Sequence, residues 1–282
     1  MGRTTSRGRF TSAFRVPPSA FPMTAWLWNG ERFEPGDSVP LSDRGFRYGM
    51  SVFESLRVTA GEAEFFEKHT TRLIQACAER GIALDETMLP RVAELFTSQS
   101  GFARIYITAG DGAPAAAGEA PRVFVFLEDR TPPAADAAWE IAFHDESYYA
   151  PFGGLKTGNY WFNCDALAGA RRRGFDEALL FNDRAELVSA SMANVFLVHD
   201  QRLSTPPRSS GARAGVIREW VIGRRKVEER RLRREDVVLA DEIFLTNSWI
   251  GVLPVATLEG RPLGPRRVGP KLAAELANRR EG

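Results

Sequence analysis

The chain has 282 residues, 44% of them hydrophobic, enough for a substantial core in one large or two medium domains. Its 37 basic and 36 acidic side chains leave a formal charge of +1, which gives a polyanion little to follow and argues against a nucleic-acid partner. No apolar run approaches the roughly 20 residues of a membrane helix, so no membrane partner is expected. The two cysteines, Cys77 and Cys164, have no metal-ligand spacing and suit a reducing, cytoplasmic compartment.

Residues 1–22 hold several arginines and serines, no acidic residue and no signal-type apolar stretch; they read as a disordered or misassigned extension that adds nothing to the fold. Strand-like patterning starts at Met23. Trp26 to Phe33 predicts a hairpin turning at Asn29-Gly30, Ser51 to Phe66 two strands joined through Ala60-Gly61, and His69 to Arg80 a helix closed by Gly81. Phe102 to Thr108 and Val123 to Leu127 predict further strands, with a Gly/Ala/Pro loop between them over 109–121. Asp129 to Asp136 has linker composition, so a first domain over 23–130 and a second over 131–282 are expected.

The second block opens with a strand at Trp139 to His144 and a helix from about Asn159 to Arg173, stopped by Gly174. Short strands are predicted at Glu177 to Phe181, Leu187 to Ser189, Val195 to His199 and Arg202 to Ser204. A helix near Gly215 follows, then strands at Lys226 to Arg231 and Glu242 to Thr246 and a C-terminal helix from about Lys271. Helices and strands interleave without a regular βαβ period, which points to a mixed α+β fold. The arginine-rich run from Arg224 to Arg234 is interrupted by Glu228 and Glu229 and reads as a solvated face.

Only four lysines occur, Lys68, Lys156, Lys226 and Lys271, and Lys156 has only uncharged neighbours in Leu155-Lys-Thr-Gly-Asn-Tyr160. A lysine held from water and other charge loses its proton readily, and the free amine attacks carbonyls. An isolated lysine can equally extend its head to the surface. From this segment alone both readings stand.

A set of ordered motifs resembles the class IV aminotransferases, pyridoxal-phosphate enzymes of fold type IV. It begins with Asp43-Arg-Gly-Phe-Arg-Tyr-Gly-Met-Ser-Val-Phe-Glu54 and His69-Thr-Thr-Arg-Leu73. Lys156-Thr-Gly-Asn-Tyr160, Gly174-Phe-Asp-Glu-Ala178 and Asn194-Val-Phe196 follow. Thr205-Pro-Pro207, Gly215-Val-Ile-Arg218, Asp241-Glu-Ile-Phe244 and Thr246-Asn-Ser-Trp-Ile-Gly-Val-Leu-Pro-Val255 complete it. The resemblance implies a two-domain enzyme with a small α/β N-terminal domain and a larger α+β C-terminal one. It implies pyridoxal 5'-phosphate as cofactor, a small-molecule substrate and a homodimer.

By the same resemblance Lys156 is the Schiff-base lysine and catalytic residue, and Tyr160 bonds the cofactor's ring oxygen. Arg72 brings a guanidinium fork to the phosphate, joined by Ser248 and the backbone at Val216 and Ile217. Where relatives often carry threonine stands Ile217, so only its N–H can serve. Tyr48 resembles a tyrosine lining the substrate side, where Trp249 is also placed; Arg47 and Arg104 are candidate forks for a substrate carboxylate, and Arg104, in a predicted strand, is equally a candidate for a structural ion pair. The main departure is Ser189: a glutamate normally stands five residues before the asparagine, and its charge keeps the cofactor ring an electron sink.

Three readings of Ser189 follow: a weaker sink that still serves elimination, recruitment of another acid such as Asp183 or Glu186, or a degenerate homologue that binds cofactor and turns over slowly. The loop Asn247 to Val255 is more similar to 4-amino-4-deoxychorismate lyases than to branched-chain aminotransferases. The implied activity is therefore lyase-like, pyruvate elimination giving 4-aminobenzoate; branched-chain or D-amino-acid aminotransferase is the alternative. The loop over 110–118 reads either as a cover for the site or as a passive connection.

Overall fold

In a computed structural model of the chain, residues 22–118 and 120–279 are described. The extension expected over 1–22 lies outside them except for Pro22, whose carbonyl accepts the Asp129 amide at 2.9 Å. Two sheets carry a mixed α+β fold. The first comprises β1 (Met23–Trp28), β2 (Phe33–Pro35), β3 (Ser51–Thr59), β4 (Glu62–Ala63), β5 (Gly101–Thr108) and β6 (Arg122–Glu128). It runs in the order β2-β1-β6-β5-β3-β4, antiparallel throughout.

Alternation gives this sheet two different faces. Val52, Leu56 and Val58 of β3 and Ala103, Ile105 and Ile107 of β5 are buried in one hydrophobic cluster. Helices α2 (Phe66–Glu79) and α3 (Leu89–Glu94) cover them with Leu73, Ala76, Cys77 and Val92. On the opposite face the register sets Phe53 against Tyr106 and Ser55 against Arg104, and this face turns toward the second sheet.

A short α1 (Arg44–Tyr48), which the sequence reading missed, precedes β3. The Asp43 side chain caps its start, and Gly49, at φ 66°, ends it in the left-handed conformation that glycine adopts freely. Arg44 is fully buried and donates to the carbonyls of Ala109, Gly110, Ala113, Ala116 and Ala117. The Gly/Ala/Pro loop is thus wound around a guanidinium, and none of its described residues lines the large cavity below. It does not cover this chain's own cavity.

The second sheet comprises β7 (Trp139–Phe143), β8 (Glu177–Phe181), β9 (Leu187–Ala190), β10 (Asn194–His199), β11 (Arg202–Thr205), β12 (Val227–Glu229), β13 (Glu242–Asn247), β14 (Gly251–Leu258) and β15 (Arg261–Pro262). Its order is β12-β11-β10-β13-β14-β7-β8-β9, with β15 on β14, and β7 runs parallel to both β14 and β8. Helix α4 (Trp161–Arg172) packs Ala166 and Ala170 against β8. Helix α5 (Val216–Ile222) and α7 (Val268–Ala277) bury Ile217, Trp220 and Leu272 with Phe196 and Phe244. α6 (Arg234–Leu239) adds Val237 to the remaining core. The arginine-rich run is laced with acids, Arg225 to Glu275 and Arg230 to Asp236, as a solvated face should be.

Candidate active site

The segment before α4 is fastened to the first sheet. Phe53 N–H donates to Lys156 O at 2.9 Å, and Gly158 N–H donates to Ser51 O at 3.0 Å. This approach requires glycine at 158, because a Cβ there would meet Ser51 Oγ at 2.4 Å. Lys156 is thereby fixed where the sheets face each other, on a cavity of about 510 Å³, within the usual range for small-molecule sites. Its Nζ lies 4.2 Å from the centre of the Phe53 ring, 5.5 Å from that of Tyr160 and 3.5 Å from Ser55 Oγ. Burial pushes the amine well below the usual lysine range; Glu54 opposes this, while Arg213, Arg72 and Arg104 add to it. Burial thus weakens the amine's hold on its proton, which favours attack on a carbonyl.

Beside it lies a buried polar cluster. Glu54 accepts Arg72 Nε at 3.2 Å and Arg72 Nη2 at 2.7 and 2.6 Å on its two oxygens. The second Arg72 nitrogen, Nη1, donates to Ala214 O, just ahead of α5. His69 Nδ1–H donates to Glu54 at 2.7 Å, so Nε2 accepts the Ser248 hydroxyl at 3.1 Å. Burial alone would raise the Glu54 carboxyl, yet Arg72, His69 and Lys156 together hold it down to about 2. Burial pushes the His69 imidazole down, against the hydrogen bond and charge of Glu54. The cluster is therefore an anionic carboxylate clamped by a guanidinium and a neutral imidazole.

The second sheet supplies the facing wall. Asn247 accepts the amides of Trp249 and Ile250, shaping the turn that presents Ser248, and donates to Met192 O at 3.0 Å. Asn194 donates to Arg213 O, and its Oδ1 would lie 2.1 Å from any Cβ at Gly215; the entry to α5 is packed against that amide. Ser189 lines the cavity, and so does Glu177, whose carboxylate accepts the amides of Ala178, Ser191 and Met192.

A family model for class IV amino-transferases matches residues 51–258, most of the chain. The chain belongs to the class IV aminotransferase family. A Methanocaldococcus jannaschii protein provisionally named branched-chain-amino-acid aminotransferase is 27% identical over 86% of this chain and 90% of its own. A D-alanine aminotransferase from Bacillus licheniformis is 22% identical over 86% of this chain and 92% of its own. The crystal structure of 4-amino-4-deoxychorismate lyase from Pseudomonas aeruginosa superposes with a TM-score of 0.77 at 26% identity, covering 90% and 98% of the two chains.

Class IV enzymes use pyridoxal phosphate, and the residues of this cavity fit it. The buried amine, whose proton burial loosens, suits the cofactor's aldehyde. The Arg72 guanidinium and the amides at the start of α5 offer donors for a phosphate, and the Ser248 hydroxyl, which donates to His69 Nε2 here, would join them by turning its proton from that ring. The Arg72 fork itself is turned onto Glu54, which leaves Arg72 to offer only its remaining outer N–H groups.

Of the residues expected from the sequence, Lys156, Arg72, Tyr160, Ser189, Val216, Ser248, Arg104 and Trp249 all line the cavity. The Ile217 side chain is buried in the core behind it, consistent with a backbone role alone. Arg47 and Tyr48 do not line it: Tyr48 is exposed, with the Arg47 guanidinium 5.0 Å over its ring. The capped end of α1 turns both outward. Neither acid proposed to replace the missing glutamate faces the cavity. Asp183 is exposed in the turn after β8, and Glu186 is bound to Asn182, Arg184 and Ser210. The sequence reading gave no role to Glu54, His69, Glu177 or Arg213. His69 and Glu54 were visible only as motif letters, and Arg213 as a basic residue two before Gly215.

Proposed function

We propose that this enzyme is a pyridoxal-phosphate lyase acting on 4-amino-4-deoxychorismate, releasing pyruvate and leaving 4-aminobenzoate, with Lys156 as the catalytic amine. The observation that carries the reading is Ser189 on the cavity wall where a carboxylate is expected: neither Asp183 nor Glu186 is turned in, and Glu177, which also lines the cavity, is committed to the amides of Ala178, Ser191 and Met192. When bound, pyridoxal phosphate supplies an aldehyde and an electron-accepting ring. Ser248, Arg72 and the amides of Val216 and Ile217 would hold its phosphate, Tyr160 its ring oxygen and Ser189 its ring nitrogen. Lys156 would hold its aldehyde carbon, and the Lys156 amine would carry the proton that elimination moves. A neutral partner at the ring nitrogen weakens the sink, and an elimination that never hands its amine to a second acceptor tolerates this better than amine exchange does.

The second reading is aminotransferase, which the long matches to branched-chain and D-alanine aminotransferases favour. Purified protein loaded with pyridoxal phosphate separates the two. Given 4-amino-4-deoxychorismate, it should release pyruvate and fluorescent 4-aminobenzoate in equal amounts. Exchange of amine between D- or L-amino acids and 2-oxo acids, without pyruvate release from 4-amino-4-deoxychorismate, would replace the first reading by the second.

The two sheets are read as two domains meeting near residue 130, in a cytoplasmic homodimer. Leu41, Phe46, Tyr48, Tyr149, Phe152 and Trp161 are exposed large apolar side chains, and Gly49 and Asn159 meet between the two segments that carry them. Free Cys77 and Cys164 suit a reducing compartment. Among the described residues no helix is long and apolar enough to cross a membrane. Sedimentation at micromolar concentration should give twice the chain mass.

A further inference from the structure

His69 is wholly buried, and both of its ring nitrogens are engaged. Nδ1–H donates to Glu54 at 2.7 Å, and Nε2 accepts the Ser248 hydroxyl at 3.1 Å. The three side chains come from β3, from α2 and from the turn between β13 and β14. They form a line that starts at a buried carboxylate and ends at a hydroxyl on the cavity wall. Arg72 stands beside this line with its fork on Glu54, so guanidinium and carboxylate cancel and the cluster brings no net charge to the cavity.

The Ser248 hydroxyl has one proton to give. Donated to a phosphate oxygen, it is withdrawn from Nε2, and a buried acceptor left without its donor offsets much of what the new bond gains. Kept on Nε2, it leaves only the hydroxyl's lone pairs to face the phosphate oxygens, which repel them. A solvent proton added at Nε2 removes the conflict. The imidazolium then donates to Glu54 through Nδ1–H and to Ser248 Oγ through Nε2–H, and the hydroxyl donates outward. Resting on the reading that the cofactor's phosphate seats at Ser248, we propose that His69 is a positioning residue that takes up one proton when a dianion binds there, so that Ser248 donates to the dianion. The charged groups facing the ring are Glu54 from β3, Arg72 from its own helix and Lys156 from the segment before α4. The carboxylate favours the added proton, and the two cations oppose it. A dianion on the Nε2 side tips that balance toward the imidazolium.

The test follows the ring itself. His69 is one of three histidines, and His144→Gln and His199→Gln, away from the cavity, assign the other two signals. In nitrogen-15 spectra of the full chain labelled at histidine, at pH 7, Nε2 of His69 should be unprotonated without ligand. It should carry a proton after addition of sulfate, a dianion with no proton of its own to give at that pH, and equally after addition of pyridoxal phosphate. Sulfate affinity is then measured by calorimetry in Lys156→Met, where the amine does not titrate. It should weaken by up to about tenfold per pH unit above 7, and His69→Gln in the same background should show no such slope. If His69→Gln does not fold, the wild-type spectra decide alone.

An Nε2 that stays unprotonated at the highest concentration of both ligands overturns the assignment. So does an Nε2 already protonated at pH 7 without ligand, or a pH slope that persists in His69→Gln. If sulfate protonates His69 while pyridoxal phosphate gives no Lys156-dependent absorbance, the cofactor reading falls and the proton uptake stands.

Discussion

Glu54→Gln tests whether the buried carboxylate organises the site. The substitution keeps shape but removes the charge that receives three hydrogen bonds from Arg72 and one from His69. Holding the carboxyl at about 2 rather than 4.5 corresponds to about 3 kcal/mol of native-state stabilisation. That agrees with the ~3–5 kcal/mol lost when one partner of a buried pair is removed. For a chain of this size the loss should lower Tm by roughly 6–12 °C. The sign with pH follows from the depressed carboxyl: its stabilisation is complete above about 4.5 and is lost as pH falls toward 2. His69, pushed down by burial, adds a loss that begins below 6.5, where the unfolded imidazole takes a proton that the folded one refuses. Scanning calorimetry from pH 3 to 8 should show the Tm drop at neutral pH and a shallower acid limb for Glu54→Gln. In a cycle with Arg72→Leu the two effects should be strongly less than additive. A Tm change under about 2 °C, or an unchanged acid limb, would refute the reasoning.

Three further substitutions probe other parts. Lys156→Met should raise Tm at pH 7, because a buried amine pushed below its ordinary 10.5 makes the fold less stable as pH falls below that value; a wild-type slope that persists in the variant would contradict this. Arg44→Met leaves the carbonyls of five loop residues without their donor and should cost more than ~3 kcal/mol in urea unfolding; a cost below ~1 kcal/mol would mean the loop is held otherwise. Ser189→Glu puts a carboxylate back on the cavity wall. It should speed loss of the bound cofactor's visible absorbance on adding amino acids by roughly tenfold to a hundredfold, and an unchanged or slower rate counts against a weak sink at Ser189.

Much of the framework was legible because alternation and turn chemistry are local. β3, β5 and β8 fall where apolar alternation or runs are bounded by Gly, Asn and Asp, and Gly81 and Gly174 take positive φ just past their helices. β14 was not legible: Pro254 lies within it and normally demotes a strand, yet it pairs opposite Phe244 beside a register shift at Val255/Thr257. Lys156 stood out by its isolation, and Arg72 and Ser248 by motif. The Glu54–His69 pairing did not, since it joins a strand to the helix that covers it, fifteen residues away. Arg213 sits in Ser-Ser-Gly-Ala-Arg-Ala-Gly, where no periodicity marks it, and only the fold brings it to Tyr160.

In this reading Lys156 is the amine that holds pyridoxal phosphate in the cavity. An absorbance spectrum of the purified protein with added pyridoxal phosphate tests it most directly, beside Lys156→Ala and before and after D- and L-amino acids. The wild type should show a band near the visible edge that borohydride fixes to the protein and that Lys156→Ala lacks. The same band in Lys156→Ala, or none in the wild type at saturating cofactor, would contradict it.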